Sequence, residues 1–300
     1  MIESTVKQWD TGDPRPEEFG ASALEKAAEL VASSAELLQM RARVNSLDAL
    51  GEFAFALSGD INEAIENNAF CYVYQPIVSA ATSAVEGFEA LVRWQRRGEL
   101  VTPGLFLPIA EETGAIHRIQ QRLLDDVARA CALASPGAFI GINWSPRQLL
   151  KASAASALID RVRELKIDPS RILIEITART ATIDPDLIVL CVQLLRENGF
   201  QIALDGFGGH YASLSYLSRL PIDVIKLDGS LIVESEYQER AVRILGGVID
   251  FAHLMRTRVV AKGVETQQQA RMLRRLGCDL LQGHAIAPPA SVPQPIQIDE

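Results

Sequence analysis

The chain has few of the residues that mark disulfide-rich or thiolate-metal proteins. Its 300 residues include only four cysteines and four histidines, and no two cysteines have the CxxC spacing of a zinc or redox motif. The cysteines lie within apolar stretches, at Cys71, Cys131, Cys191 and Cys278. We therefore predict buried, reduced thiols, which are typical of a reducing cytosol.

Long hydrophobic runs are also absent from the sequence. No apolar run approaches the ~18 residues that a membrane-spanning helix needs. Residues 1–20 are polar and lack the hydrophobic segment of a secretory signal peptide. We expect a cytoplasmic protein with no membrane segment in this chain.

Positive charge is outnumbered along the chain. Lysine and arginine together number 29 against 38 acidic residues, which gives a formal net charge of −9. This balance argues against a nucleic-acid polymer or an anionic membrane as the main partner. A small anionic ligand remains compatible with it, because the charges within a binding site decide that affinity.

The texture of the sequence changes near residue 66. Residues 1–20 form a polar lead, which we predict to be disordered. Residues 21–65 carry apolar side chains at helical spacing, so we predict a helical extension that packs on the main domain or serves in dimerisation or signalling. Residues 66–292 alternate short β-rich runs with amphipathic helical stretches and form the predicted main domain, followed by a tail over residues 293–300.

This alternation predicts an α/β fold with a largely parallel sheet. The predicted strands are Phe70–Val78, Val85–Trp94, Phe139–Ser145, Ile172–Thr177, Gln201–Phe207, Val224–Asp228, Val259–Val264 and Leu280–Ala285. The predicted helices between them are His117–Ala134, Gln148–Leu165, Asp186–Asn198, Tyr237–Met255 and Gln267–Leu276. The pattern fits a closed (β/α)8 or TIM barrel. An open doubly wound sheet is the alternative, although no GxGxxG or Walker loop stands in a suitable context.

Acidic or amide residues stand near the ends of successive predicted strands. They are Glu89, Asn143, Glu175 and Asp205. In a parallel barrel the C-terminal strand ends converge on one mouth, and such oxygen ligands suit a hard cation. A structural polar network is the alternative, since buried charges need partners. Lys262 ends a further strand, and an ammonium group cannot ligate a metal.

A series of motifs in this chain resembles the EAL domain family of cyclic-di-GMP phosphodiesterases. The motifs are Tyr74–Ile77, Glu89–Trp94, Phe106–Gly114, Asn143–Ser145, Glu175–Thr177, Leu204–Gly208, Tyr211–Leu217, Pro221–Asp228, Gly263–Glu265 and Gln282–Gly283. The resemblance implies a modified TIM barrel whose first strand is antiparallel to the others. It also implies cyclic-di-GMP as the ligand across the barrel mouth, and a homodimer.

Roles for single residues follow from the resemblance, motif by motif. It implies a first Mg²⁺ or Mn²⁺ held by Glu89, Asn143, Glu175 and Asp205. Lys226 matches the lysine that positions the attacking water, and Glu265 matches a supporting position, so both are vestigial if catalysis is lost. Gln75, Leu91, Arg93 and Ser145 match positions that contact the guanine or phosphates in family members. We add further candidate ligand-binding residues at the barrel mouth: Glu89, Asn143, Asp205, Lys262 and Gln282.

The chain departs from the family pattern at Ala178, Gly206 and Lys262, where the family has two glutamates and an aspartate. The family residues at positions 206 and 262 hold the second metal together with Asp205, which is shared between the two ions. Only Asp205 survives here. An ammonium a few ångströms away repels a divalent cation, so we expect Lys262 to pair with Asp205 or with a ligand phosphate, unless it points to solvent.

These departures predict a catalytically inactive EAL domain that acts as a cyclic-di-GMP receptor. The helical extension would relay ligand occupancy to an unknown downstream protein, and ligand binding would not require a metal. Two alternatives stay open: a weakly active phosphodiesterase that gives pGpG, and a nucleotide-independent interaction module. The retained Gln75, Glu89 and Arg93 argue against the second alternative.

Overall fold

The computed structural model describes residues 47–96, 98–149, 152–177, 184–209, 217 and 219–293. The predicted disordered lead, the first part of the helical extension, Ala178, residues 211–216 of one motif and nearly all of the predicted tail lie outside this part of the chain. The chain divides into two compact units. The first unit contains residues up to 71 and residues 92–122, and the second contains residues 72–91 and those from 123 onward.

The described residues contain nine strands and a set of connecting helices. The strands are β1 (Phe70–Ser79), β2 (Val85–Arg96), β3 (Glu99–Val101), β4 (Phe139–Asn143), β5 (Ile172–Thr177), β6 (Gln201–Phe207), β7 (Val224–Leu227), β8 (Arg258–Ala261) and β9 (Leu280–Leu281). The helices are α1 (Leu47–Glu66), α2 (Pro103–Glu112), α3 (Ala115–Leu133), α4 (Pro146–Leu149), α5 (Ala152–Glu164), α6 (Pro185–Glu197), α7 (Gly229–Tyr237), α8 (Glu239–Leu254) and α9 (Gln267–Arg275). Among the helices so described, none is long and apolar enough to cross a membrane.

The strands close into a barrel. Their order is β1-β9-β8-β7-β6-β5-β4-β2, and β1 also pairs with β2, which completes the ring. Strand β1 is antiparallel to β9, whereas β2 and β4 to β9 are parallel along the rest of the ring. The predicted modified TIM barrel with one antiparallel strand is therefore confirmed.

The barrel interior is filled by a layer of side chains, as expected for this architecture. The layer contains Ile77, Phe139, Leu173, Ala203, Val224, Val260 and Leu280, all of them buried. Strand β2 contributes Gly87, where a Cβ atom would lie 2.5 Å from the ring of Phe139. Because these side chains fill the barrel at this level, a ligand cannot bind within this layer.

An aromatic cluster forms the core of the first unit. The ring of Phe70 stacks on Trp94 with 5.7 Å between centroids and lies 5.3 Å from Phe106. Arg96 lies over the Trp94 ring and forms an ion pair with Asp60 of α1. Helix α1 is thereby attached to the end of β2 within this unit.

Several predicted elements differ from the observed ones. The predicted helix Tyr237–Met255 corresponds to α8, whereas α7 before it was not predicted. Asp228 caps the N-terminus of α7 by accepting a hydrogen bond from the Ser230 backbone. Helix α2 was not predicted, because Pro103 and Pro108 resemble a loop. Pro103 occupies the first helical position, where no N–H is needed. Strand β8 ends early at Ala261, and Gly263 has a left-handed backbone with φ of 69°.

The cysteines agree in part with the prediction of buried thiols. All four are free of disulfides, and Cys131, Cys191 and Cys278 are buried. Cys71, the second residue of β1, is only half-buried. Burial raises the pKa of Cys278 to about 12, so its thiol remains protonated.

Candidate functional site

The mouth of the barrel is the end at which the parallel strands β4 to β8 terminate. The register brings Asn143 of β4 opposite Glu175 of β5, and Asp205 of β6 opposite Lys226 of β7. Glu89 lies on β2, opposite Gly141 of β4. The structure thus gathers side chains that are far apart in the sequence at one end of the second unit.

A buried lysine bridges two of the predicted metal ligands. Lys226 is fully buried, and its Nζ lies 2.8 Å from Glu89 Oε2 and 2.5 Å from Glu175 Oε2. Asn143 Nδ2 donates to Glu89 Oε1 at 2.9 Å, and Gln282 Nε2 donates to Glu89 Oε2 at 2.7 Å. Both carboxylate oxygens of Glu89 are therefore engaged by protein donors.

The other carboxylate of this pair keeps one oxygen without a partner among the described residues. Glu175 Oε1 is buried and accepts no hydrogen bond from them. A Cβ atom at Gly141 would lie only 2.2 Å from it, so the space occupied by this oxygen depends on glycine at position 141. No sequence motif singled out Gly141, although a glycine inside an apolar strand signals a close approach.

The Gly141→Ala substitution should therefore displace the Glu175 carboxylate. We expect a loss of about 1–3 kcal/mol in the free energy of unfolding, the usual effect of overpacking. Urea unfolding followed by circular dichroism measures it. Gly247→Ala is the matched control, because a Cβ there meets nothing within 4 Å in the exposed part of α8, and helix propensity predicts a slight gain in stability. Equal stability of Gly141→Ala and the parent would show that the carboxylate moves freely.

The charges at the mouth shift the pKa values of both glutamates. Burial alone raises the pKa of Glu89, but the ammonium groups of Lys226 and Lys262 outweigh it and hold the pKa well below its ordinary value. Burial and the neighbouring charge of Glu89 raise the pKa of Glu175 to about 8. Burial lowers the pKa of Lys226, but the two glutamates reverse this effect and raise it, so the lysine stays charged.

The raised pKa of Glu175 predicts a pH dependence of stability. Between the ordinary value of 4.5 and about 8 the folded chain holds a proton that the unfolded chain has released. The contribution of this group is thus fully present below 4.5 and is lost as the pH rises through 8. We expect the free energy of unfolding to decrease from pH 6 to pH 8, and Glu175→Gln to flatten that decrease. An unchanged slope in the variant would contradict the assignment.

Lys262 contacts Asp205, the acid that the family resemblance assigns to both metal ions. Its Nζ lies 2.8 Å from Asp205 Oδ1 and 2.9 Å from Asp205 Oδ2. The side chains are 28% and 13% exposed, respectively. Burial and the charge of Lys226 lower the pKa of Lys262, but the surrounding carboxylates outweigh them and raise it. The sequence left three partners open for this ammonium, which were Asp205, a ligand phosphate and solvent. In the structure it contacts Asp205.

Gly206 follows Asp205 at an irregularity of β6. The register against β7 shifts between Asp205 and Phe207, and Gly206 has φ of 74°. Glycine adopts this left-handed backbone without strain, whereas other residues adopt it less readily. Gly206 therefore follows Asp205 without adding a side-chain carboxylate of its own.

The remaining predicted ligand residues have more modest surroundings. Gln75 Oε1 accepts a hydrogen bond from Gln282 Nε2 at 3.1 Å, and Gln75 Nε2 lies 3.5 Å from the Ala287 carbonyl oxygen. Ser145 Oγ is buried without a hydrogen-bond partner among the described residues, as is Trp144 Nε1. Leu91 is half-buried on β2.

Two predicted residues are not members of the buried cluster. Arg93 belongs to the first unit, where it is half-buried and donates to the Val92 carbonyl. Glu265 is the last residue of the Gly263–Glu265 motif that follows β8, and it is exposed. Its Oε1 lies 3.3 Å from His284 Nδ1. The sequence had indicated no role for His284, which does not belong to any regularly spaced histidine motif.

The arrangement does not fit a second divalent metal. Gly206 supplies no ligand, and the Lys262 ammonium occupies both oxygens of Asp205. The first set has suitable donor types, but Lys226, Asn143 and Gln282 already engage Glu89. Within the described ranges, no three carboxylate, imidazole or thiolate groups come together closely enough to hold a metal ion. Mg²⁺ or Mn²⁺ at the first site therefore stays a prediction.

A closed barrel with one antiparallel strand and an acidic, lysine-bridged mouth defines a TIM-barrel protein with a site at the strand ends. The comparison with protein families places it more narrowly. The EAL domain matches residues 58–289, and the chain belongs to that family.

Curated relatives are longer proteins of second-messenger metabolism. The chain is 33% identical over 255 residues to MucR of Pseudomonas aeruginosa, named a bifunctional diguanylate cyclase/cyclic di-GMP phosphodiesterase, with 83% of this chain and 37% of MucR covered. It is 34% identical over 236 residues to PdeG of Escherichia coli K12, named a probable cyclic di-GMP phosphodiesterase, with 77% and 46% covered. The chain thus spans less than half the length of these two relatives.

A solved structure of a relative matches the fold closely. The MucR phosphodiesterase from P. aeruginosa in complex with c-di-GMP has a TM-score of 0.74 and 33% identity, covering 78% of this chain and 97% of that one. The match confirms that the chain has the fold of an EAL domain.

Proposed function

We propose that this chain is a cyclic-di-GMP receptor that hydrolyses its ligand slowly or not at all. The proposal is supported by membership of the EAL domain family and by a relative of known structure in complex with that dinucleotide. Such a receptor would act in bacterial second-messenger signalling, in the cytoplasm.

The chemistry of the mouth suits a cyclic dinucleotide. The ligand carries two anionic phosphodiesters and two guanines, which need cationic groups and hydrogen-bonding amides. Gln75, Asn143 and Gln282 supply amides within the second unit, and the hydroxyl of Ser145 supplies a further donor. Within the first unit, Arg93 carries a forked guanidinium, a group suited to a phosphate.

The position of Lys262 is the observation that carries the loss of turnover. Two-metal cleavage of a phosphodiester needs paired cations that stabilise the attacking and leaving oxygens. In this chain an ammonium group lies 2.8 Å and 2.9 Å from the oxygens that such a pair would share. An ammonium group neutralises negative charge. Unlike a metal ion, it does not coordinate a water molecule and lower the pKa of that water.

Calorimetry and product analysis of the same sample test the proposal. Titration of cyclic-di-GMP into the purified chain should give saturable binding. Chromatography after overnight incubation with Mg²⁺ or Mn²⁺ should then recover the ligand intact. Rapid conversion to pGpG would contradict the receptor assignment, and the absence of binding heat under every metal condition would favour the nucleotide-independent interaction module.

A slow phosphodiesterase is the second candidate, and the retained Lys226 favours it. The lysine that the family uses to position water is present and lies between Glu89 and Glu175. Slow formation of pGpG that disappears in Glu89→Ala would select this function. Product that persists in Glu89→Ala would come from a contaminating enzyme.

We also propose that the receptor forms a homodimer and passes ligand occupancy to a downstream protein through its N-terminal helices. The dimer follows from the family resemblance. Support for the relay comes from α1, which is attached within the first unit by the Arg96–Asp60 and Arg118–Glu66 ion pairs. Light scattering with and without cyclic-di-GMP measures the assembly. A monomer under both conditions would contradict the dimer.

A further inference from the structure

Lys262 has hydrogen-bonding capacity beyond its contact with Asp205. An ammonium group carries three N–H donors, and two acceptors for them are the oxygens of Asp205. No further acceptor for this group is found among the described residues, and the side chain is 28% exposed. One donor of a fixed cation is therefore available to an anion at the mouth.

The charges of the mouth are nearly balanced without a metal. Three carboxylates, on Glu89, Glu175 and Asp205, face the two ammonium groups of Lys226 and Lys262. The formal sum is −1 when all three acids are ionised. A divalent cation added to this set would leave a net positive charge in a partly buried site, where like charges repel strongly.

We propose that Lys262 replaces the divalent cation in two functions: it neutralises Asp205, and it donates to a phosphate oxygen of the bound cyclic dinucleotide. The second part rests on the proposed function, whereas the first concerns the protein alone. Ligand binding is then independent of divalent metal. Lys262 and a metal ion compete for the same oxygens, so the mouth has little affinity for Mg²⁺ or Mn²⁺.

The effect of replacing Lys262 on ligand affinity distinguishes a phosphate-binding lysine from a purely structural ion pair. A structural pair would use Asp205 alone, and replacing the lysine would then weaken ligand binding only through the charge of the mouth, an effect that added salt screens. A phosphate-binding lysine changes the affinity directly, because a charge-assisted hydrogen bond to the ligand is lost. Charge-assisted bonds are among the strong ones in proteins.

Calorimetric titration of cyclic-di-GMP in EDTA and in MgCl₂ tests the inference. The variants are Lys262→Met, which removes the charge, Lys262→Arg, which keeps it, and Lys166→Glu, a charge-reversing control at an exposed position. We expect the same Kd for the parent in both buffers, and binding weaker by about tenfold or more in Lys262→Met. Lys262→Arg should recover most of the affinity, and the control should match the parent.

Mn²⁺ titration followed by electron paramagnetic resonance tests the first part without nucleotide. The parent should leave the six-line signal of free Mn²⁺ undiminished. Lys262→Met exposes the Asp205 oxygens and should take up Mn²⁺ more tightly than the parent. Thermal melting of every variant identifies any variant that does not fold. In that case the comparison of the parent's Kd for cyclic-di-GMP in EDTA and in MgCl₂ still tests the inference.

Each contrary result has a distinct meaning. Binding by the parent only in MgCl₂ would overturn the inference and leave a metal-dependent receptor. Undiminished affinity in folded Lys262→Met would overturn the phosphate contact, and Mn²⁺ uptake by the parent would overturn the competition. Absence of dinucleotide binding in both buffers, with Mn²⁺ excluded by the parent, would overturn the proposed function and the phosphate contact but uphold the replacement of the metal at Asp205.

Discussion

Replacing Lys226 with methionine is expected to destabilise the fold by about 3 kcal/mol or more, the usual effect of removing one partner of a buried ion pair. The lysine is fully buried and lies within 2.8 Å of Glu89 and 2.5 Å of Glu175. Its loss leaves the Glu89 carboxylate and the Glu175 carboxyl group close together with no cation between them. Urea unfolding at pH 7 measures the effect, and Lys166→Met, at an exposed site, should change the free energy of unfolding by less than about 0.5 kcal/mol.

The neighbours of Lys226 determine how the loss can be offset. Glu89 keeps the donors of Asn143 and Gln282. Glu175 loses the ammonium that donates to its Oε2, and its Oε1 has no partner among the described residues. It keeps the proton that it holds below about pH 8, and a glutamine amide in its place would add a donor for Glu89. Adding Glu175→Gln should therefore restore part of the stability, and the two changes should be non-additive. A Lys226→Met variant as stable as the parent would show that the acids are not held by this lysine.

Restoring both second-metal ligands by Gly206→Asp with Lys262→Glu should raise hydrolysis of cyclic-di-GMP by at least about 10²-fold, because paired ions then replace the fixed ammonium. Lys262→Glu removes the competing cation and adds a ligand, and Gly206→Asp supplies another. Either change alone leaves the second ion short of one ligand. Chromatography of pGpG in Mn²⁺ compares the double variant with both single variants and with the parent.

The backbone at position 206 opposes part of this gain. Its φ of 74° is unfavourable for a residue with a side chain and costs about 1–2 kcal/mol, although aspartate tolerates this region better than most residues. Space is available, since a Cβ atom at this position would lie 4.0 Å from its nearest neighbour, Asp228 Oδ2. Glu89→Ala added to the double variant should abolish the activity.

A double variant that takes up Mn²⁺ and stays inert would show that metal ligands alone do not explain the loss. Ala178 is then the next position to restore, by Ala178→Glu, because the family has a glutamate there. That residue lies outside the described part of the chain, so its contribution depends on the resemblance alone.

The barrel and the location of its site could be predicted from the sequence because both follow from short-range patterns. Alternating β-rich and helical stretches predict parallel strands, and acids inside apolar strands, such as Glu89, Glu175 and Asp205, predict a shared end of the barrel. The unpredicted elements have local causes. Helix α2 was not predicted because Pro103 and Pro108 are typical of loops. Helix α7 was not predicted because Asp228, which caps it, was assigned to the end of the preceding strand.

The contacts of the two lysines could not be derived from the sequence. Lys226 and Glu89 are separated by 137 positions, so only the closed barrel and its register bring them together. The family resemblance implies that Lys262 stands in place of a glutamate, but it left open whether the ammonium contacts Asp205, a phosphate or solvent. The left-handed backbone of Gly206 depends equally on an irregularity in strand pairing.

A crystal structure with cyclic-di-GMP and Mn²⁺, recorded at a wavelength that reveals manganese, tests the central claim most directly. We expect Lys262 Nζ within hydrogen-bonding distance of Asp205 and of a phosphate oxygen, over an intact dinucleotide, with no manganese on Asp205. Two well-occupied manganese ions bridged by Asp205, with Lys262 turned away to solvent, would contradict it.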